Sequence, residues 1–192
     1  MRNYSKKVIT RALFSSYVCL LVFFSTTVFA EIRFSLFGIN LYENANEHVN
    51  QVHTLQKNKD IETDDQYFYI SADSIKNKNP QFNSYFLTID TQDTIHEIFA
   101  ERKLNTSIEN CVQRNLETLK GMLEAKYKKQ MSYDEFGYTD FDTYEFHLFD
   151  ENDNRLRIQC NFKRESQEVF FYIMLESHQL VESRFRFYEK GL

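Results

Sequence analysis

The segment TSIENCVQRNLETLKGMLEAKYKKQ, residues 106–130, constrains the fold of this chain more than any other. Ile108, Val112, Leu116, Leu119, Leu123 and Tyr127 recur at three- and four-residue spacing, which gives a helix with one apolar stripe. Cys111 and Met122 fall on the same side of it. Thr106 with Glu109 has the form of a capping box, and Lys126, Lys128 and Lys129 suit the negative end of the helix dipole. Such a stripe has to be buried against another layer.

The flanking sequence supplies that layer, because it alternates with period two instead. EIRFSLFGI (31–39), QYFYISA (66–72), SYFLTID and TIHEIFAER around TQD, DTYEFHLFD (142–150), NRLRIQCNF (154–162) and QEVFFYIML (167–175) all read as strands. The TQD connection marks a hairpin, and so does the polar turn at Glu151 to Asp153. Asn44 with Glu47 has the form of a second cap, before a short helix carrying Val49, Val52 and Leu55. KNKDIETDD (57–65) and DEFGYTDFDTY (134–144) read as loops. The tail HQLVESRFRFYEK reads as a short helix or an added strand, with Leu180, Val181 and Phe185 favouring the helix.

These elements predict an α+β fold, with antiparallel sheet and helices packed on one face. Residues 31–192 make a single domain of ordinary size, and the order of elements allows two α-β-β-β units, 31–104 and 105–192. VFFYIML is apolar on both faces. Its second face is expected either to be covered by loops or tail, or to serve as a ligand or homodimer surface.

The first thirty residues read differently. Arg2, Lys6, Lys7 and Arg11 precede the short apolar run YVCLLVFF, and Val28-Phe29-Ala30 stands before Glu31. This is the layout of a secretory signal peptide (1–30), and the run is short for a spanning helix. Export to the periplasm or the outside of the cell is therefore expected, with no stable membrane insertion after cleavage. The whole chain has 23 basic and 28 acidic residues; removal of those four basic residues leaves 19 against 28, a net charge of -9. Such a balance argues against nucleic-acid and anionic-membrane partners. A protein partner with a basic surface is allowed, and Asp140, Phe141, Asp142 and Tyr144 form the candidate contact patch.

Cleavage would also remove Cys19 and leave Cys111 and Cys160. Cys160 shares a strand face with Leu156, Ile158 and Phe162, so both cysteines face the same helix–sheet interface. In an oxidising compartment the expected state is a disulfide, and the alternative is a pair of buried, reduced thiols. Neither cysteine lies in a C-x-x-C or Cys/His pattern that would activate a thiol. His48 and His53 are five apart, not the four of a zinc helix, and His96, His147 and His178 read as structural histidines. Asp150 to Asn154 begins like a calcium loop, but Arg155 occupies the glycine position and Asn161 replaces the bidentate glutamate. Asn105-Thr106-Ser107 has the form of a glycosylation sequon. No catalytic, cofactor or metal motif is recognisable. The expectation is an exported, non-enzymatic binding protein, of which an inhibitor or immunity-type protein is one version. A small enzyme with a scattered site and a passive envelope component are the alternatives.

Overall fold

The computed structural model describes residues 33–190, apart from 50, 51, 53–55, 61, 64, 65, 73, 76 and 138; the expected leader, His53 and Leu55 lie outside the described residues. A small hairpin comes first, β1 (Ser35–Leu36) and β2 (Ile39–Asn40). The single strand expected over 31–39 is broken because Phe37 and Gly38 both take positive φ, at 56° and 76°. Gly38 accepts this freely, and an added Cβ there would lie 2.8 Å from the Asn77 side chain.

The next expected helix begins, among the described residues, with a 3-10 turn, Ala45–Glu47. Asn44 does cap it, its side chain accepting from the Asn46 N–H at 3.0 Å. Val49 and Val52 are buried as the apolar pattern requires. The region 57–65, expected as loop, contributes a two-residue edge strand, β3 (Asn58–Lys59).

β4 (Tyr67–Ser71), β5 (Ser84–Asp90) and β6 (Ile95–Leu104) continue from β3 as an antiparallel meander. The long helix follows as one run, α1, made of Ile108–Asn110, a π-helical stretch Cys111–Leu116, and Glu117–Tyr127. The four-residue steps Ile108, Val112, Leu116 suit that wider i→i+5 turn. The cap is Ser107 instead of Thr106; its Oγ accepts from the Asn110 N–H at 3.4 Å. Met122, expected on the buried side, is 64% exposed.

Four more strands form a second meander: β7 (Ser132–Gly137), β8 (Phe141–Phe149), β9 (Arg155–Lys163) and β10 (Glu168–Glu176). Residues 134–144 are therefore mostly strand where a loop is expected. β10 pairs with β6, so the two meanders fuse into one eight-stranded sheet, β3-β4-β5-β6-β10-β9-β8-β7. Each meander contributes four strands to this sheet, and among the described residues of 31–104 there is no helix of the length of α1. The tail is helical: α2, His178–Lys190.

The α+β class holds, with a difference in layering. One sheet face carries Ile70, Leu87, Ile98, Ile158, Phe171 and Leu175, all buried, and it forms the core with Cys111, Leu116 and Leu123 of α1. Cys111 and Cys160 form a disulfide with Cα atoms 6.1 Å apart, tying α1 to β9. α2 instead engages the opposite face, as the contacts of Arg184 show below.

Candidate functional site

That opposite face is built from the alternate residues of the same strands. Register places Tyr69, Thr88, Glu97, Glu176 and Arg155 in one row across β4, β5, β6, β10 and β9. The next row runs Ser71, Phe86, Phe99, Met174, Arg157 and His147. The third runs Ser84, Glu101, Tyr172, Gln159 and Glu145.

Glu97 and Glu176 stand directly opposite each other, and like charges in that position repel. Both are buried. Arginines from two directions neutralise them. From α2, Arg184 Nη1 donates to Glu97 Oε1 at 3.2 Å and Glu176 Oε1 at 3.0 Å. Its Nη2 donates to Glu97 Oε2 at 3.1 Å, Asp60 Oδ2 at 3.0 Å and the Tyr69 hydroxyl at 2.8 Å. From β9, Arg155 Nε donates to Glu176 Oε2 at 2.9 Å, and Arg157 Nη2 to Glu176 Oε1 at 3.1 Å. Arg157 Nε also lies 2.8 Å from Glu176 Oε2, but off the hydrogen-bond axis, so that contact is ionic only. Burial by itself would raise the Glu176 carboxyl; Arg157, Arg155 and Arg184 outweigh it and hold the group below its ordinary value. Thr88 Oγ1 donates to Glu97 Oε2 at 2.5 Å and completes that carboxylate's shell.

Beside this network the sheet opens into a cleft of about 680 Å³. Phe86 and Phe99 form its floor, with Met174 adding apolar surface. The Phe86 and Phe99 rings lie 5.6 Å apart, and Tyr172 stacks on Phe99 at 5.4 Å. Tyr69, Glu97, Arg157 and Arg184 line the ionic end. Glu101 stands in the aromatic part, with Ser84 and Tyr172 as its strand neighbours. Burial raises the Glu101 carboxyl above its ordinary value, against a hydrogen bond from Ser84. Burial raises the Tyr69 and Tyr172 hydroxyls as well, so both stay protonated at neutral pH.

One further cluster lies on this face. His147 Nδ1 is 3.3 Å from Asp134 Oδ2 and 3.5 Å from Glu145 Oε1. Among the described residues this is the group whose donor atoms, all within 4.8 Å of one another, fit a metal ion. Arg157 Nη1 donates to Glu145 Oε2 at 3.3 Å, however, and that positive charge opposes a cation there.

The candidate contact patch does not survive as a loop. Phe141, Asp142 and Tyr144 belong to β8, where alternation sends Phe141 to the cleft face and Asp142 and Tyr144 to the helix face. Tyr144 packs against the core, Asp142 is paired with Arg164, and the Asp140 carbonyl accepts from the Arg164 N–H at 3.0 Å. The turn at Asp150 is a hairpin turn: Asp150 Oδ1 accepts from the Asn152 and Asn154 N–H groups at 2.8 and 3.0 Å. The other described histidines have local partners: His48 with Glu43, His96 with Ser177 and Asp90, His178 with Glu182.

Sequence reading missed Tyr69, Glu97, Glu101, Arg157 and Arg184. The available signal was charge at alternate positions inside apolar strands, as in IHEIFAER and RLRIQ. No family model, curated protein or solved structure matches this chain.

Proposed function

We propose that this is an exported binding protein that holds a small organic ligand in the cleft on the open face of its sheet. One observation carries the proposal: the exposed sheet face is floored by phenylalanine rings and closed at one end by a fixed ionic network. A mostly apolar concavity with a few placed polar groups is the usual form of a ligand site. Export is supported by the basic, apolar and small-residue layout of residues 1–30 and by the Cys111–Cys160 disulfide, which suits an oxidising compartment.

Binding is favoured over catalysis by the state of the arginines. The four terminal nitrogens of Arg157 and Arg184, which line the cleft's ionic end, are already engaged by carboxylates. They are therefore poor candidates for stabilising charge that develops on a substrate. The protein-contact version loses support because its patch is divided between two sheet faces.

The test is an NMR fragment screen on the purified protein, read at the backbone amides of Phe86, Phe99 and Glu101. Saturable shifts centred there are expected, weakened by Phe99→Ala. A screen in which fragments shift amides elsewhere, or none at all, defeats the proposal.

A further inference from the structure

We infer that the ligand is an organic cation, an aromatic or alkyl amine whose ammonium group pairs with the Glu101 carboxylate while its apolar body lies along Phe86 and Phe99. The inference rests on the reading of the cleft as a ligand site and adds the charge of what fills it.

The first support is the charge balance of the site. Arg155, Arg157 and Arg184 face Asp60, Glu97, Glu145 and Glu176, one negative charge in excess; Glu62 and Glu101, both on the cleft wall, raise the excess to three. Arg157 and Arg184 offer little to an anion, because their terminal nitrogens already donate to those carboxylates and their Nε groups are buried. An anionic ligand would meet acidic walls whose arginines are already paired with carboxylates.

The second support is the placement of Glu101. Among the described residues no cation pairs with it, although Lys103, two residues along the same strand face, is paired with Glu168. A half-buried carboxylate without a counter-ion is costly unless something completes it. Its surroundings suit the apolar body of such an amine. Phe99 and Phe86 lie on the adjacent row, Tyr172 is its direct strand neighbour, and Phe170 stacks on Tyr172 at 6.1 Å. The carboxylate selects a cation from a neutral molecule of the same shape.

The experiment compares three probes with one indole body: tryptamine, tryptophol and indole-3-acetate, cationic, neutral and anionic at neutral pH. Each is titrated into the purified protein by calorimetry and by NMR. Tryptamine is expected to bind about tenfold tighter than tryptophol, a preference of about 1.4 kcal/mol, with indole-3-acetate weakest. Glu101→Gln is expected to bring tryptamine down to the tryptophol value and leave tryptophol unchanged. Equal binding of tryptamine and tryptophol by the unaltered protein overturns the cation inference while the cleft stands as a ligand site. Absence of binding by all three, with no shifts at Phe99 or Glu101, overturns the cleft reading too. The three-probe ranking needs no variant, so a misfolded Glu101→Gln does not rescue the inference.

Discussion

Breaking the Cys111–Cys160 bond is the sharpest test of how this fold is held. The cysteines are 49 residues apart, so the bond closes a loop of about 50 residues. Loop closure removes about 2.1 + 1.5R ln n from the entropy of the unfolded chain, about 14 cal/mol/K for this loop, or about 4 kcal/mol at 25 °C. Domains commonly have only about 5–15 kcal/mol in total, so the loss is a large share. For a domain of this size it corresponds to a fall in Tm of about 8–16 °C. The assay is urea unfolding of three forms: oxidised protein, protein reduced in the unfolded state and held reduced, and Cys111→Ala/Cys160→Ala. Both sulfurs are fully buried, and the reduced form keeps them, so it isolates the cross-link from any cavity. The two non-bonded forms should lie close together, both about 4 kcal/mol below the oxidised protein. A loss below about 1 kcal/mol in the reduced form refutes the loop-closure account. A loss confined to the alanine variant assigns the effect to packing.

Other outcomes follow from the cleft face. Arg184→Met leaves Asp60, Glu97 and Glu176 short of a partner and should cost about 3–5 kcal/mol in urea unfolding; adding Glu97→Gln should recover part of that loss, and additive losses would show that the groups are not coupled. His96 is buried between Ser177 and Asp90, and burial, against the pull of Asp90, holds its pKa below the ordinary value. The unfolded chain therefore takes up this proton first. Stability contributed by neutral His96 is present above about pH 6.5 and falls as pH drops below it, by at most about 1.4 kcal/mol per pH unit. His96→Gln should flatten that part of the stability–pH curve, and an unchanged slope counts against the assignment. Ile98→Ala should cost about 2–5 kcal/mol, whereas Phe99→Ala, on the half-buried cleft face, should cost less; the reverse order would mean that the sheet faces are misassigned.

The strongly periodic parts of the fold were legible in the sequence. The α1 stripe, β4, β5, β6, β8, β9 and β10 all follow from residue pattern, and so does the meeting of Cys111 with Cys160. Misreadings came where local chemistry competed with pattern. Phe37 and Gly38 turn a strand into a hairpin through positive φ, which no periodicity reports. Val49 and Val52 are buried as a helix would bury them, yet the turn described before them, Ala45–Glu47, is 3-10 and not α. β7 is exposed throughout and carries Asp134 and Glu135; an edge strand with charge reads like a loop because it has no buried face to mark it. The cleft was hidden for another reason. Glu97 and Glu176 are 79 residues apart in sequence and become neighbours only when β6 meets β10, and Arg184 joins them from a helix whose sequence signal was weak.

The β6–β10 seam also sets an order of assembly. β10 lies in the middle of the sheet but comes last of the strands along the chain. Until it emerges, β6 and β9 each present an unpaired edge whose alternate side chains are Ile98 and Ala100, or Leu156 and Ile158. A nascent chain lacking residues 168–176 thus holds two half-sheets that can zip to each other, or to another chain, in a wrong register. Completion of the eight-stranded sheet therefore waits for residues 168–176.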